Sequence, residues 1–240
     1  MKIYYDLHIH SVLSPCADDL MTPNHIVLMA KLKGLDVIAL TDHNSTRNCR
    51  VVSELAKEAG ILFIPGIEVE TIEGVHLLSY FETIDLAELF GSWIETHLPL
   101  IKNDPQLFGH QWVMDEKDEI IEDFERLLIQ STHLTCKEVV LQTHQLGGIV
   151  IAAHLNKPSH SILTQLGFIP EGLNLDGIEL NSFIYEAKSQ NSGILCYEEI
   201  ILFNSDAHSL GYINEPIYFL EIKKDIQDIF QYLRRGLSAK

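Results

Sequence analysis

A chain of 240 residues with 46% apolar side chains can bury one sizeable core and is too apolar for a disordered segment. Its formal net charge of −17 works against a broad electrostatic grip on a nucleic-acid backbone, although divalent cations at a pocket mouth would reverse the sign locally. No apolar run reaches the ~20 residues of a membrane helix, no signal pattern opens the chain, and four cysteines (Cys16, Cys49, Cys136, Cys196) are scattered without a Cys-x-x-Cys, so a cytoplasmic protein with reduced thiols is expected.

The first predicted strand begins at Ile3-Tyr4-Tyr5 and runs through Asp6-Leu7-His8-Ile9-His10. Side chains alternate along a strand, so His8 and His10 are expected on one face, with Leu7 and Ile9 on the other. Two imidazoles so placed are half of a metal site; the plainer reading is a polar strand edge. A loop from Ser11 to Met21 follows, carrying Pro15, Cys16, Asp18 and Asp19. Thr22-Pro23 then reads as N-cap and first helical residue of a helix ending at Gly34, with His25 at its surface. Asp36 to Thr41 is a second strand, leading into Asp42-His43-Asn44-Ser45. A helix from about Thr46 to Ala59 is stopped by Gly60, and Ile61 to Ile64 is a third strand ending in Pro65-Gly66-Ile67-Glu68. This alternation signals a parallel α/β sheet, whose chemistry gathers at the C-terminal strand ends.

Val75 to Phe81 is a short apolar strand carrying His76. Residues of about 82 to 135 break the rhythm and read as an insertion: a helix from Ile84 to His97, a hairpin around Asp115-Glu-Lys-Asp118, and a further helical pattern from Asp123 to Gln130. Its histidines His97, His110 and His133 sit in polar surroundings and read as solvated rather than ligating, with His110 alone within reach of a substrate as the alternative. An amphipathic helix from Cys136 to Leu146 precedes a buried strand ending at His154; His144 suits that helix's C-terminal dipole. Strands at 175–180 and 200–203 follow, the latter running into Asn204-Ser205-Asp206-Ala207-His208. A strand at 217–220 and a helix from about Lys224 to Arg235 close a single domain over 1–240.

His8, His10, His43, Glu68, His154, Asp206 and His208 thus fall at strand ends, with His76 on the intervening strand. Imidazoles and carboxylates without thiolates suit Zn²⁺, Mn²⁺ or Fe²⁺ in a hydrolytic site. Glu68 is the natural bridge between two ions. Asp6 and Asp42 suit orientation of the ligands, and Lys157 and His160 either hold a substrate phosphate or are ordinary loop residues.

His8-Ile-His10, Thr41-Asp42-His43, Pro65-Gly66-Ile67-Glu68, Ala153-His154 and Ser205-Asp206-Ala207-His208 resemble, in order and over nearly the whole chain, the motifs of the PHP (polymerase and histidinol phosphatase) family. The resemblance implies a distorted (β/α)7 TIM-like barrel and two or three divalent ions. One would take His8, His10, Glu68 and Asp206; a second Glu68, His76 and His154; a third His43, His208 and an acid from the first loop. There the sequence departs from the family's Ser-Asp-Gly: Asp18 occupies the aspartate position counted back from Pro23, with Asp19 and Cys16 as alternatives. The implied activity is phosphoester hydrolysis by a metal-activated water, with Glu68, Asp206 and His208 as catalytic candidates. The acidic balance favours a small phosphorylated metabolite or nucleotide over a short oligonucleotide. Neither a membrane nor a protein partner is expected. An amidohydrolase is disfavoured because no lysine stands at a mid-chain strand end, and a non-catalytic metal-binding domain because every ligand position except the loop acid is filled.

Overall fold

Short, largely apolar runs generate the barrel strands, and the computed structural model, which describes residues 1–187 and 200–238, gathers them into one curled sheet. Cys196 lies outside the described residues. The strands are β1 (Lys2–Ile9), β2 (Val37–Leu40), β3 (Leu62–Glu70), β4 (His76–Tyr80), β5 (Trp112–Met114), β6 (Ile120–Asp123), β7 (Ile149–Ala152), β8 (Gly177–Asn181), β9 (Ile200–Asn204) and β10 (Phe219–Glu221). The helices are α1 (Pro23–Lys33), α2 (Cys49–Ala59), α3 (Ile84–Thr96), α4 (Pro105–Phe108), α5 (Cys136–Gln145), α6 (Ile162–Leu166), α7 (Ser182–Ala187) and α8 (Ile226–Ser238).

The sheet order is β10-β1-β2-β3-β4-β7-β8-β9, with β5 and β6 forming a separate hairpin. Its far edge returns to its start: Ile9 bridges Ala207, just past β9, and the His10 amide donates to the Ala207 carbonyl at 3.0 Å. The strands from β1 to β9 therefore curl into the expected TIM-like barrel, and β10 hangs antiparallel on the beginning of β1. All barrel strands run parallel except β4, which is antiparallel to both neighbours. A short turn joins β3 to β4, and only antiparallel strands can be linked so briefly. The reversal brings His76, the first residue of β4, to the rim that the other strands reach with their C-terminal ends.

Inside, alternate residues of the strands (Tyr5, Leu7, Val37, Ala39, Ile64, Leu78, Tyr80, Ile151, Leu202) pack as one cluster, which Ile229, Phe230 and Leu233 of α8 join. Helix α8 and its approach bind the opposite rim: Lys224 donates to the Gly60 carbonyl and Arg234 to that of Gly147, both just before strands. The barrel is thus filled and closed at one end, leaving the ligand-bearing end open. Helix ends follow the sequence signals. Thr22 caps α1, Gly34 and Gly60 stop α1 and α2 in the left-handed conformation, and Thr135 with Glu138 forms a capping box on α5.

Three expectations are corrected. Strict alternation fails in β1: a register shift between Asp6 and Ile9 places Leu7 in the barrel interior and Ile9 in the outer layer. A bulge of this kind re-aims side chains, and His8 and His10 still converge. The third strand does not end at Ile64 but runs on to Glu70, because β4 pairs with its second half. Gly66 lies at that joint, where a Cβ would stand 2.9 Å from both Thr41 Cγ2 and Tyr80 Cδ1. Finally, residues 123–130 are not helical. The helix-like spacing of Phe124, Leu127 and Leu128 is overridden by Gln111, whose side chain binds the Phe124 and Arg126 carbonyls and the Leu128 amide.

The 82–135 segment lies over the rim loops. The Trp112 amide donates to the Val12 carbonyl, Asn48 bridges to Trp112 and Met114, and Asn44 donates to the carbonyls of Leu128 and Gln130. Gly109, at φ 100°, passes so close to Pro15 that a Cβ would meet its carbonyl oxygen at 2.0 Å. Among the described residues no helix is long and apolar enough to cross a membrane.

Candidate metal centre

Hydrogen bonds at the back of the rings decide what the front of each ring presents. Both Glu179 oxygens lie 3.0 Å from His8 Nδ1, and Glu179 also accepts from Asn204 Nδ2 and the His154 amide. A carboxylate surrounded by donors places the proton on His8 Nδ1. Ser14 Oγ donates to Asp42 and receives the His43 amide, so its 3.0 Å contact with His10 Nδ1 is also a bond that the ring donates. In the neutral rings both Nε2 atoms then carry bare lone pairs, yet they stand only 3.1 Å apart. Glu68 oxygens approach them at 3.3 and 3.4 Å, and Asp206 Oδ1 at 3.3 and 3.2 Å. All four groups are buried. Such a cage of acceptors is stable only around something positive.

One proton does not meet that need. Burial would lower His8, but Glu179, Asp206 and Glu68 raise it well above its ordinary value. Burial, with His208 and His43 nearby, drives His10 well below. Glu68 and Asp206, which burial alone would raise, are held well below the usual carboxylate range by their histidines. His43 Nδ1, Glu68 Oε2, His76 Nε2 and His154 Nδ1 are buried without a hydrogen-bond partner among the described residues. The donor set of nitrogen and oxygen atoms fits divalent cations.

Glu68 lies at the centre. Beyond His8 and His10, it faces His76 Nδ1 at 2.9 Å, His154 Nε2 at 3.1 Å and His43 Nδ1 at 3.0 Å. The sets His8, His10, Glu68, Asp206 and Glu68, His76, His154 named from the sequence are thus brought together. A third grouping joins His10, His43 and His208, each offering a nitrogen within 4.8 Å of the others. Asn44, His154 and Asp206 hold left-handed backbone (φ 50°, 30° and 55°), which suits residues positioned for function rather than for packing.

The loop acid behaves differently from expectation. Asp18 is exposed, and its carboxylate accepts from the Leu20 amide at 2.8 Å in a local turn. Neither Asp18 nor Asp19 joins a metal-capable group. The loop residue that lines the cavity beside the histidines is Cys16; burial would raise its thiol, and the rings of His43 and His208 bring it down to about 6.

Asp42 supports the cluster through Ser11 and Ser14, and Asp6 through Ser205 and the Asn214 amide. Lys157 and His160 both line the cavity, and Lys157 Nζ contacts Asp206 Oδ2. His97, His110 and His133 join no metal-capable group. His144 bonds Asp176 Oδ2 at 2.8 Å, a partner the dipole argument did not supply.

Sequence reasoning passed over Glu179 and Glu70. Glu179 carried a signal, a carboxylate between Ile178 and Leu180 in an otherwise apolar strand, where an unpaired charge is rarely buried. Glu70 sits 3.6 Å behind His76 Nε2, steadied by Ser131. Glu179→Gln should weaken metal binding about 10–100-fold, because the ring exchanges a charged acceptor for a neutral one and its Nε2 becomes a poorer ligand. Competition with a chromogenic chelator measures this, and a change under about twofold would remove Glu179 from the ligand-orienting role.

The PHP domain family matches residues 6–235. An uncharacterized protein of Methanocaldococcus jannaschii is 26% identical over 183 residues, 73% of this chain and 79% of that protein. Among solved structures, the lesion-specific endonuclease Q of Pyrococcus furiosus superposes with a TM-score of 0.69 at 21% identity, over 98% of this chain and 56% of its own. The chain therefore spans little over half the length of that nuclease. A candidate metal-dependent phosphoesterase of Bifidobacterium adolescentis gives 0.58 at 18% identity, over 98% of each chain. With the family match running from the first metal-type strand to the last helix, the chain belongs to the PHP domain family and is a metal-dependent hydrolase.

Proposed function

We propose that the protein is a phosphoesterase that hydrolyses the phosphate monoester of a small metabolite or nucleotide at a centre of two or three divalent ions. The observation that carries this reading is Glu68, one buried carboxylate shared by five imidazoles beside a cavity of about 290 Å³. When loaded, such a centre supplies Lewis acidity, lowering the pKa of a water and neutralising charge on the phosphate.

The residues divide the remaining work. Glu68 and Asp206 hold negative charge at fixed points between the rings, and Glu179 and Ser14 fix the tautomers of His8 and His10. His208, half-buried and stacked on His10 at 4.1 Å between ring centres, faces the cavity where the ester would lie. Lys157 can exchange its contact with Asp206 for a phosphate oxygen, and His160 stands on the same wall. A cavity of this size admits one phosphorylated group more readily than a strand of nucleic acid. The unpaired thiols of Cys16, Cys49 and Cys136 suit a reducing, cytoplasmic setting.

The likeness to endonuclease Q favours a second reading, cleavage of a phosphodiester in a short oligonucleotide. A nitrophenyl monoester and a bis-nitrophenyl diester, assayed side by side with Mn²⁺, separate the two. Turnover of the monoester is the expected result; turnover of the diester alone would reverse the order.

A further inference from the structure

At the mouth of the site the ligand chemistry changes. His10, His43 and His208 converge there with ring centres 4.1 to 5.9 Å apart, and no carboxylate of the neighbouring loop reaches them. Cys16 stands beside His43 and His208 on the wall of the same cavity. His43 is buried, and its Nδ1 faces Glu68 Oε2 at 3.0 Å.

The position of Cys16 is built. The Ala17 amide donates to the Ser14 carbonyl at 2.9 Å, and the Asp18 amide donates to the His208 carbonyl at 2.8 Å. The chain is therefore pinned just after Cys16, once to the serine that orients His10 and once to the backbone of a histidine in the cluster. Gly109 holds the preceding Pro15 from outside.

We propose that Cys16 supplies a thiolate ligand, with His43 and His208, to a cation position at the mouth of the site, and that this position selects zinc or cobalt over manganese. The inference rests on the metal-dependent phosphoesterase reading above and assigns the loop ligand that the carboxylates leave open. Thiolate and imidazole are the ligands that softer ions prefer, whereas manganese prefers oxygen. The centre would then be mixed: oxygen-rich positions around Glu68 and Asp206, and one sulfur-bearing position facing substrate.

The test is cobalt reconstitution of the full chain after metal stripping. Wild type should show an intense near-ultraviolet sulfur-to-cobalt charge-transfer band. Cys16→Ser should lack it and lose about one cobalt per chain. Cys16→Asp should lack the band, keep the metal and shift its preference towards manganese. Cys16 is exposed, so neither variant disturbs the core. Absence of the band in wild type, or its survival in Cys16→Ser, overturns the assignment. Phosphoester hydrolysis without the band sinks only the thiolate; the band without hydrolysis sinks only the phosphoesterase reading.

Discussion

Glu68→Gln is expected to reduce phosphoester hydrolysis on the order of 10³-fold or more and to empty the centre of ions. The glutamine has nearly the same shape, so β3 keeps its pairing with β2 and β4. What changes is polarity. The amide brings N–H donors to a point faced by the nitrogens of His8, His10, His43, His76 and His154. Those donors satisfy ring lone pairs that otherwise need a cation, and they remove the negative charge that holds two ions close together. The variant should consequently show no rise in melting temperature on addition of metal. Activity within about threefold of wild type, with metal content unchanged, would remove Glu68 from the bridging role.

Stripping the ions from wild type should lower the melting temperature by about 5–15 °C. Ligand at 100 to 1,000 times its dissociation constant stabilises the fold by about 2.7–4.1 kcal/mol, and each kcal/mol moves the melting point of a chain this size by roughly 2–4 °C. The sign with pH follows from the histidines. His8, His43, His76 and His208 are raised above their ordinary value, with burial opposing and nearby carboxylates or the Cys16 thiol prevailing. In the metal-free chain these rings hold protons that an ion must displace, so binding tightens as pH rises. The metal-dependent part of the melting temperature should shrink as pH falls through the raised range of these rings, starting above the ordinary imidazole value of about 6.5. Calorimetry with and without chelator across that range measures it; a shift independent of pH would mean that the ions are held by groups other than these imidazoles.

The strand ends and the helix stops were legible because each is written locally. Thr22-Pro23 and Gly34 bracket α1 whatever surrounds them, and Leu40 and Ala152 close short apolar runs bounded by polar loops. The hairpin at 115–118 was legible for the same reason. The stretch 123–130 was misread because its apolar spacing matches a helix turn, while the distant Gln111 holds it extended. The path of the first loop was not legible, because sequence counting has no measure of how a loop folds back, and here the Asp18 carboxylate turns to the Leu20 amide.

The sequence by itself determined the chemistry on offer: histidines and acids at the ends of apolar strands, in an order that identifies the family. Only the tertiary structure decided which atoms face one another. Glu179 behind His8, Glu70 behind His76 and Cys16 beside His43 and His208 are separated from their partners by 171, 6, 27 and 192 residues in the chain. A proton's place on an imidazole depends on the atom at the back of the ring, and only strand pairing and closure of the barrel bring that atom there.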